Sequence, residues 1–91
     1  MKLNWTPLAA NERYDQLDYI AQDNPLAAIS QDKEIDGQTS QLPANPEMGR
    51  KGRVKGTFEL VINRTPFIAI YRIQKPRIEI IRFLHGAQKW P

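Results

Sequence analysis

The sequence predicts an α+β fold, in which an N-terminal strand and a two-helix antiparallel hairpin pack on a mainly antiparallel sheet. Three apolar runs of strand length lie within residues 57–84, and short breaks that each contain a proline separate them. Two earlier pairs, Thr6-Pro7 and Asn24-Pro25, place a good N-cap residue before a proline, which favours the first position of a helix. With 91 residues, the chain is expected to form one domain, residues 1–91, of modest stability.

The N-terminal half is expected to form one strand and then the helical hairpin. Residues 1–5 alternate so that Leu3 and Trp5 share one face of a short strand. The two helices should span residues 7–23 and about 25–41. The apolar stripe predicted for the first helix consists of Ala10, Tyr14, Leu17 and Ala21, with Ile20 beside it. The stripe predicted for the second helix consists of Ala28, Ile35, Thr39 and Leu42, with Ile29 nearby.

A basic cluster, Arg50-Lys51-Gly52-Arg53, lies in the segment that follows the helices. This segment, residues 42–54, has two prolines, two glycines and no hydrophobic periodicity, so it is expected to be a loop. Gly52 lets the chain bend while three cations project from it, which suits the binding of an anion. The spacing does not match GxxxxGK[ST] and no strand precedes it, so a P-loop is excluded. A solvated surface loop is the alternative.

The three C-terminal runs alternate with the two-residue period of strands. Breaks of about three residues suit hairpins, so these strands are expected to form an antiparallel meander. One face of the meander should pack on the helices, and the other is also apolar enough to need partial cover. That second face, or an exposed edge, is a natural docking place for another chain. In the third run, the predicted alternation places Ile78, Ile80, Arg82 and Leu84 on one side and Arg77, Glu79, Ile81 and Phe83 on the other.

Charge is distributed unevenly along the chain. Residues 1–49 hold 8 acidic and 3 basic side chains, a net charge of −5, whereas residues 50–91 hold 2 acidic and 10 basic side chains, a net charge of +8. This polarity indicates that the C-terminal half meets an anionic partner, either nucleic acid or an acidic protein segment. The alternative is that a small sheet needs a solvated, charged face.

Several classes of function are excluded by what the sequence lacks. There is no cysteine and only one histidine, so neither a disulfide framework nor a metal site is expected, and no cofactor is implied. No apolar run approaches the ~20 residues of a membrane span, and the first residues lack a signal-peptide apolar region. We therefore expect a soluble, cytoplasmic protein. Ser30 and Ser40 lack the context of a hydrolase nucleophile.

The order of these elements resembles a known family. A strand, a helical hairpin, the loop NPEMGRKGRVKG, the strands PFIAIYRI and RIEIIRFLH and the tail HGAQKWP are similar to the RelE/ParE superfamily, the toxins of type II toxin–antitoxin (plasmid stabilisation) modules. The resemblance covers essentially the whole chain. It implies a twisted sheet with both helices on one side. It also implies a cognate antitoxin that wraps the toxin, and therefore a toxin–antitoxin hetero-oligomer.

The superfamily divides by activity. Toxins similar to RelE cut messenger RNA at the ribosome, and toxins similar to ParE inhibit DNA gyrase. A ribonuclease needs a base for the 2′-hydroxyl, cations for the developing charge and an acid for the leaving oxygen. Where RelE-like toxins carry basic residues, this chain has Glu59, Val61 and Ile68, and its tail has no tyrosine. These departures favour a ParE-like toxin that binds DNA gyrase and blocks replication, which leans away from an enzyme without excluding one. A ribosome-dependent mRNA endonuclease is the alternative, and a detoxified or purely binding member is a third possibility.

The candidate site residues are cations and tail residues of the C-terminal half. Those predicted to bind the target are Arg50, Lys51, Arg53, Lys55, Arg72, Arg82, His85, Gln88, Lys89 and Trp90. The endonuclease alternative would use Arg53, Arg82 and His85 as catalytic residues, His85 because its ordinary pKa lies near neutrality. His85 is otherwise a structural hydrogen-bonding residue, and Trp90 either locks the tail or is an interface anchor. Arg72 and Arg82 otherwise pair with Glu59 or Glu79 across the sheet.

Overall fold

Two helices pack against one side of a five-stranded mixed sheet in a computed structural model that describes residues 1–91. The elements are β1 (Lys2–Trp5), α1 (Pro7–Asp23), α2 (Pro25–Thr39), β2 (Arg50–Lys51), β3 (Thr57–Val61), β4 (Phe67–Gln74) and β5 (Arg77–His85). The strand order is β1-β5-β4-β3-β2. β1 runs parallel to β5, and the other three pairs are antiparallel. The predicted α+β fold and its C-terminal meander are confirmed. Neither helix combines the length and apolarity of a membrane span.

Both helix starts lie where the Xaa-Pro pairs predict them. The Thr6 hydroxyl accepts a hydrogen bond from the Ala9 N–H, and the Asn24 side-chain oxygen accepts one from the Ala27 N–H. Each bond satisfies a free donor of the first helical turn. Asn24 also ends the preceding helix, because its own N–H donates to the carbonyl of Ile20. One residue therefore separates the two helices and fixes the hairpin.

The predicted apolar stripe of α1 is wrong in its N-terminal half. Ala9 is fully buried, whereas Ala10 is exposed and Tyr14 is 69% exposed. The buried face of the helix is therefore rotated relative to the predicted stripe, and the partly buried Arg13 side chain lies on its inner edge. The Arg13 guanidinium lies 4.9 Å from the centre of the Trp5 ring and pairs with Asp32 of α2.

The stripe of α2 is confirmed in its main positions. Ala28, Ile35, Thr39 and Leu42 are all buried, but Ile29 is 54% exposed. The helix ends at Thr39 rather than near residue 41. The buried Thr39 hydroxyl donates to the carbonyl of Ile35 at 2.7 Å, which satisfies a polar group inside the core.

The core lies between the helices and one face of the sheet. Phe83 is fully buried at its centre, with ring centroids 5.7 Å from Trp5 and 5.1 Å from Phe67. Its position corrects the predicted alternation of β5. The register shifts between Ile70 and Tyr71, which pair with Arg82 and Ile80. A bulge of this kind reverses the alternation, so Phe83 joins Ile78 and Ile80 in the core.

The segment predicted to be only a loop contains a two-residue strand. Arg50 and Lys51 pair with Glu59 and Phe58 of β3. The basic cluster is therefore attached to the sheet edge as one side of a small hairpin. A length of two residues is too short to give a periodic pattern, so the sequence offered no signal for it.

We expect an acid-dependent loss of stability at the contact between α2 and the β3–β4 turn. Arg64 donates two hydrogen bonds to the Glu34 carboxylate, at 2.9 and 2.7 Å. This pairing, with a further bond from Gln38, lowers the pKa of Glu34 from 4.5 to about 2. Because the folded-state pKa is depressed, the stabilisation is present above pH 4.5 and is lost as pH falls towards 2.

The measurement is urea unfolding of Glu34→Gln and of the unaltered protein at several pH values from 4.5 down to about 2. The substitution should flatten the dependence of unfolding free energy on pH in this range. Glu47→Gln is the matched control, since Glu47 forms no ion pair. A slope that Glu34→Gln leaves unchanged would contradict the assignment.

Candidate target-binding groove

The face of the sheet that points away from the helices carries a concave groove. Its floor consists of Ile68 and Ile70 of β4 and Leu84 of β5. Ile68 and Ile70 alternate with the core residues of β4, and successive side chains of a strand point to opposite faces. Ile70 and Leu84 are 2% and 5% exposed although no helix covers this face. The cover comes from the basic hairpin and the tail, which form the walls of the groove.

One wall of the groove is basic and comes from the hairpin β2–β3. Arg50 and Arg53 line it, together with Glu59. Both Nε and a terminal nitrogen of Arg50 lie 3.0 Å from the Glu59 carboxylate, so this pair is close to neutral. Arg53 forms no ion pair, and its charge is available to a partner.

The opposite wall is the tail, residues 85–90. The Gly86 N–H donates to the carbonyl of Pro66 at 2.6 Å, and the Gln88 N–H donates to that of His85 at 2.9 Å. The side-chain oxygen of Gln88 accepts from the His85 N–H and from the side-chain amide of Gln16 in α1. These bonds anchor residues 85–88 to the body of the protein, and Lys89 and Trp90, which follow them directly, line the groove.

His85 has a structural role within this tail. Its Nδ1 accepts a hydrogen bond from the Ala87 N–H at 3.1 Å, so the proton of the neutral ring lies on Nε2. The ring also meets Phe67 edge-on, with centroids 6.2 Å apart. One of its two nitrogens is therefore engaged in shaping the tail, and only Nε2 is left for a ligand.

Six of the predicted site residues line the groove and four do not. The six are Arg50, Arg53, His85, Gln88, Lys89 and Trp90. Lys51 and Lys55 are exposed on the same hairpin outside the groove. Arg72 pairs with Glu79 at 2.8 Å, as the alternative interpretation predicts. Hydrogen bonds from Arg72 and then Arg77 hold the pKa of Glu79 below its ordinary value.

Arg82 supports the edge of β5 rather than the groove. It pairs with Glu12 of α1 at 2.8 Å, not with Glu59 or Glu79. The same carboxylate accepts the Phe83 N–H at 2.9 Å. β1 pairs with β5 only as far as Ile80, so Glu12 satisfies a backbone donor of the strand edge that β1 leaves free. The hydrogen bond to Glu12 raises the pKa of Arg82 above its ordinary value.

The groove combines an apolar floor with charged walls. Its floor is apolar, its one carboxylate is paired with Arg50, and its one histidine has a single free nitrogen. A cleaving site needs cations around the reacting phosphate, which Arg53 and Lys89 supply. It also needs a matched acid and base, for which the groove has His85 and the paired Glu59. No cluster of His, Cys, Asp or Glu side chains is arranged to hold a metal ion.

A comparison with protein families gives the identity of this scaffold. The family of ParE toxins of type II toxin–antitoxin systems (parDE) matches residues 3–90. The chain belongs to the ParE toxin family. The resemblance inferred from the order of elements and from the tail is thereby confirmed.

Individual relatives of this ParE-family toxin agree with the assignment. It is 38% identical over 91 residues to "Putative toxin Y4kP" of Sinorhizobium fredii (strain NBRC 101917 / NGR234), and the alignment covers 99% of this chain and 93% of that protein. It is 31% identical to a chain of the chromosomal ParDE TA system from P. aeruginosa, with a TM-score of 0.84 over 93% of this chain and 95% of that one. The YoeB dimer from Staphylococcus aureus is 16% identical, with a TM-score of 0.56 over 90% and 92% of the two chains. That last match shows a shared fold.

Sequence reasoning missed two residues that organise the site of this ParE-family toxin. Tyr71 holds the base of the basic hairpin through its hydroxyl, and Glu12 holds the β5 edge. The signal for Tyr71 was a tyrosine inside an apolar strand, because a buried phenol needs a hydrogen-bond partner. No comparable signal marks Glu12, whose partners lie about 70 residues further along the chain.

Proposed function

We propose that this ParE-family protein is the toxin of a type II toxin–antitoxin pair, and that it inhibits growth by binding DNA gyrase in the cytoplasm. The observation that carries the proposal is the groove itself, which combines an apolar floor with the unpaired cations Arg53 and Lys89 and the tail residue Trp90. Aromatic and arginine side chains around an apolar centre are the usual anchors of protein interfaces. A segment of the target with apolar and acidic side chains would complement this surface.

The alternative activity, ribosome-dependent cleavage of mRNA, is favoured by one observation. Arg53 and His85, two of its three proposed catalytic residues, line the same groove. The third, Arg82, is engaged by Glu12 in the support of β5. We therefore rank cleavage second.

A cognate antitoxin is the proposed partner that keeps the toxin harmless. The P. aeruginosa chain with the similar fold belongs to a ParDE system, which supports a toxin–antitoxin hetero-oligomer here. The groove and the exposed edge of the sheet next to it are the surfaces that an antitoxin must cover to block the target.

We expect the purified protein to inhibit DNA supercoiling by gyrase and to leave mRNA intact in a translating extract. Arg53→Glu should weaken the inhibition by about tenfold or more, because it places a negative charge in a site for an acidic partner. Lys2→Glu makes the same change of charge on β1, outside the groove, and should have little effect. The measurement is the toxin concentration that halves supercoiling. Cleavage of mRNA without any effect on gyrase would refute gyrase as the target.

A further inference from the structure

The basic hairpin is held at its base by a single buried side chain. Tyr71 is fully buried in β4, and its hydroxyl makes two hydrogen bonds to the segment that leads into β2. It accepts from the Gly49 N–H at 3.0 Å and donates to the carbonyl of Pro46 at 2.7 Å. Burial raises the pKa of this hydroxyl above its ordinary value. The group therefore stays protonated and can donate and accept at the same time.

The fit around this hydroxyl leaves no room for a side chain on the loop. A Cβ atom at Gly49 would lie 2.8 Å from the Tyr71 hydroxyl oxygen, its ring carbon Cε1 and the Glu59 carbonyl oxygen. Real Cβ atoms do not approach other atoms so closely, so glycine is required here by close approach. Gly49 and Tyr71 together therefore set the distance between the loop and the sheet.

The position of this contact determines where the cations of the groove lie. Gly49 directly precedes Arg50. Arg50 lies opposite Glu59 in the strand pairing, and the two side chains form an ion pair. The Gly52 N–H then donates to the carbonyl of Thr57 at 2.8 Å, which closes the hairpin and directs Arg53 into the groove. Without the bonds to Tyr71, only this short pairing with β3 and the bond from Gly52 would hold the strand at the sheet edge.

We propose that Tyr71 is a positioning residue for target binding, which fixes the basic hairpin so that Arg50 and Arg53 are already in place when the target arrives. This role rests on the proposed function, because it requires that the groove binds the toxin's target and that inhibition of this target stops growth. Preorganisation of this kind lowers the cost of ordering side chains on binding. Tyr71 itself is buried and touches no ligand.

The test is Tyr71→Phe, which keeps the ring stacked on Phe58 at 5.3 Å and removes only the hydroxyl. Hydrogen exchange at the Gly49 amide and trypsin cleavage after Arg50, Lys51 and Arg53 should both become faster. The toxin level needed to arrest growth should rise about tenfold, because the hairpin must then be ordered when the target binds. Gly49→Ala disturbs the same contact from the loop side and should give the same phenotype.

Two controls separate positioning from loss of stability. Ile78→Val lowers the stability of the buried core near β1 without touching the hairpin. It should keep full growth inhibition even where its melting temperature falls as far as that of Tyr71→Phe. Combining Tyr71→Phe with Arg53→Ala should cost no more than the worse single variant, because Tyr71 acts through the cations.

The positioning role would be overturned if the losses from Tyr71→Phe and Arg53→Ala were additive. It would also be overturned if Ile78→Val lost as much growth inhibition as Tyr71→Phe. A loosened hairpin that still arrests growth at the original level would overturn it as well. The two proposals can fail separately. If the losses are non-additive but the unaltered protein does not inhibit supercoiling by gyrase, the role of Tyr71 is supported and gyrase is refuted as the target.

Discussion

Removal of Lys89, Trp90 and Pro91 is expected to abolish growth inhibition while the chain stays folded. These residues carry an unpaired cation and the aromatic side chain of the tail wall. The contacts that anchor the tail involve Gly86, Ala87 and Gln88 and remain in the shortened protein. Truncation of a central aromatic anchor commonly costs more than 2 kcal/mol of binding, so the affinity for the target should fall by roughly 30-fold or more.

The measurement is growth arrest as a function of toxin level, together with the melting temperature of the purified protein. Trp90→Phe is the conservative control and should keep much of the activity, whereas Trp90→Ala should approach the truncated protein. Arg82→Ala is less informative, because it leaves the Glu12 carboxylate without its main partner and is expected to lower stability as well. Full toxicity of the truncated protein would mean that the tail does not bind the target.

Phe83→Ala is expected to have the largest effect on stability. The side chain is fully buried between Trp5 and Phe67, and it joins the first strand to the centre of the sheet. Removal of a buried phenylalanine costs about 3–5 kcal/mol, from a total that is only ~5–15 kcal/mol for a domain. We expect the variant to be largely unfolded at 37 °C or to melt more than ~10 °C lower.

Thermal and urea unfolding monitored by circular dichroism will measure this loss. Tyr19→Ala provides the matched control, because it removes an aromatic side chain that is 76% exposed on α1, and surface substitutions usually change stability by less than ~0.5 kcal/mol. Similar losses in the two variants would contradict the central place of Phe83 in the core.

The sequence predicted those parts of the fold that depend on local chemistry. The helix starts at Pro7 and Pro25 follow from capping, which involves residues within one turn, and the meander follows from strand periodicity and short breaks. The predictions that failed concern features that depend on contacts between residues far apart in the sequence. Periodicity could not show that Arg13 pairs with Asp32 on the inner edge of α1, or that the bulge in β5 turns Phe83 into the core.

The candidate site divides in the same way. Charge counting found the cations, but it could not separate those that are free from those that are engaged. Arg53 and Lys89 are unpaired at the groove, whereas Arg72 and Arg82 are held by Glu79 and Glu12. That distinction depends on pairings across the fold, and only the three-dimensional arrangement reveals it.

The parallel pairing of the first and last strands has a consequence for synthesis of the protein. The Thr6 hydroxyl, just after β1, donates to the carbonyl of Ile81, 75 residues further along the chain. β1 therefore leaves the ribosome before the other strands of this sheet, and its only partner strand, β5, follows after all of them. Pairings of such long sequence separation form slowly. Part of the floor and the far wall of the groove also come from β5 and the tail, so a chain that stops before β5 should lack both the closed sheet and the groove.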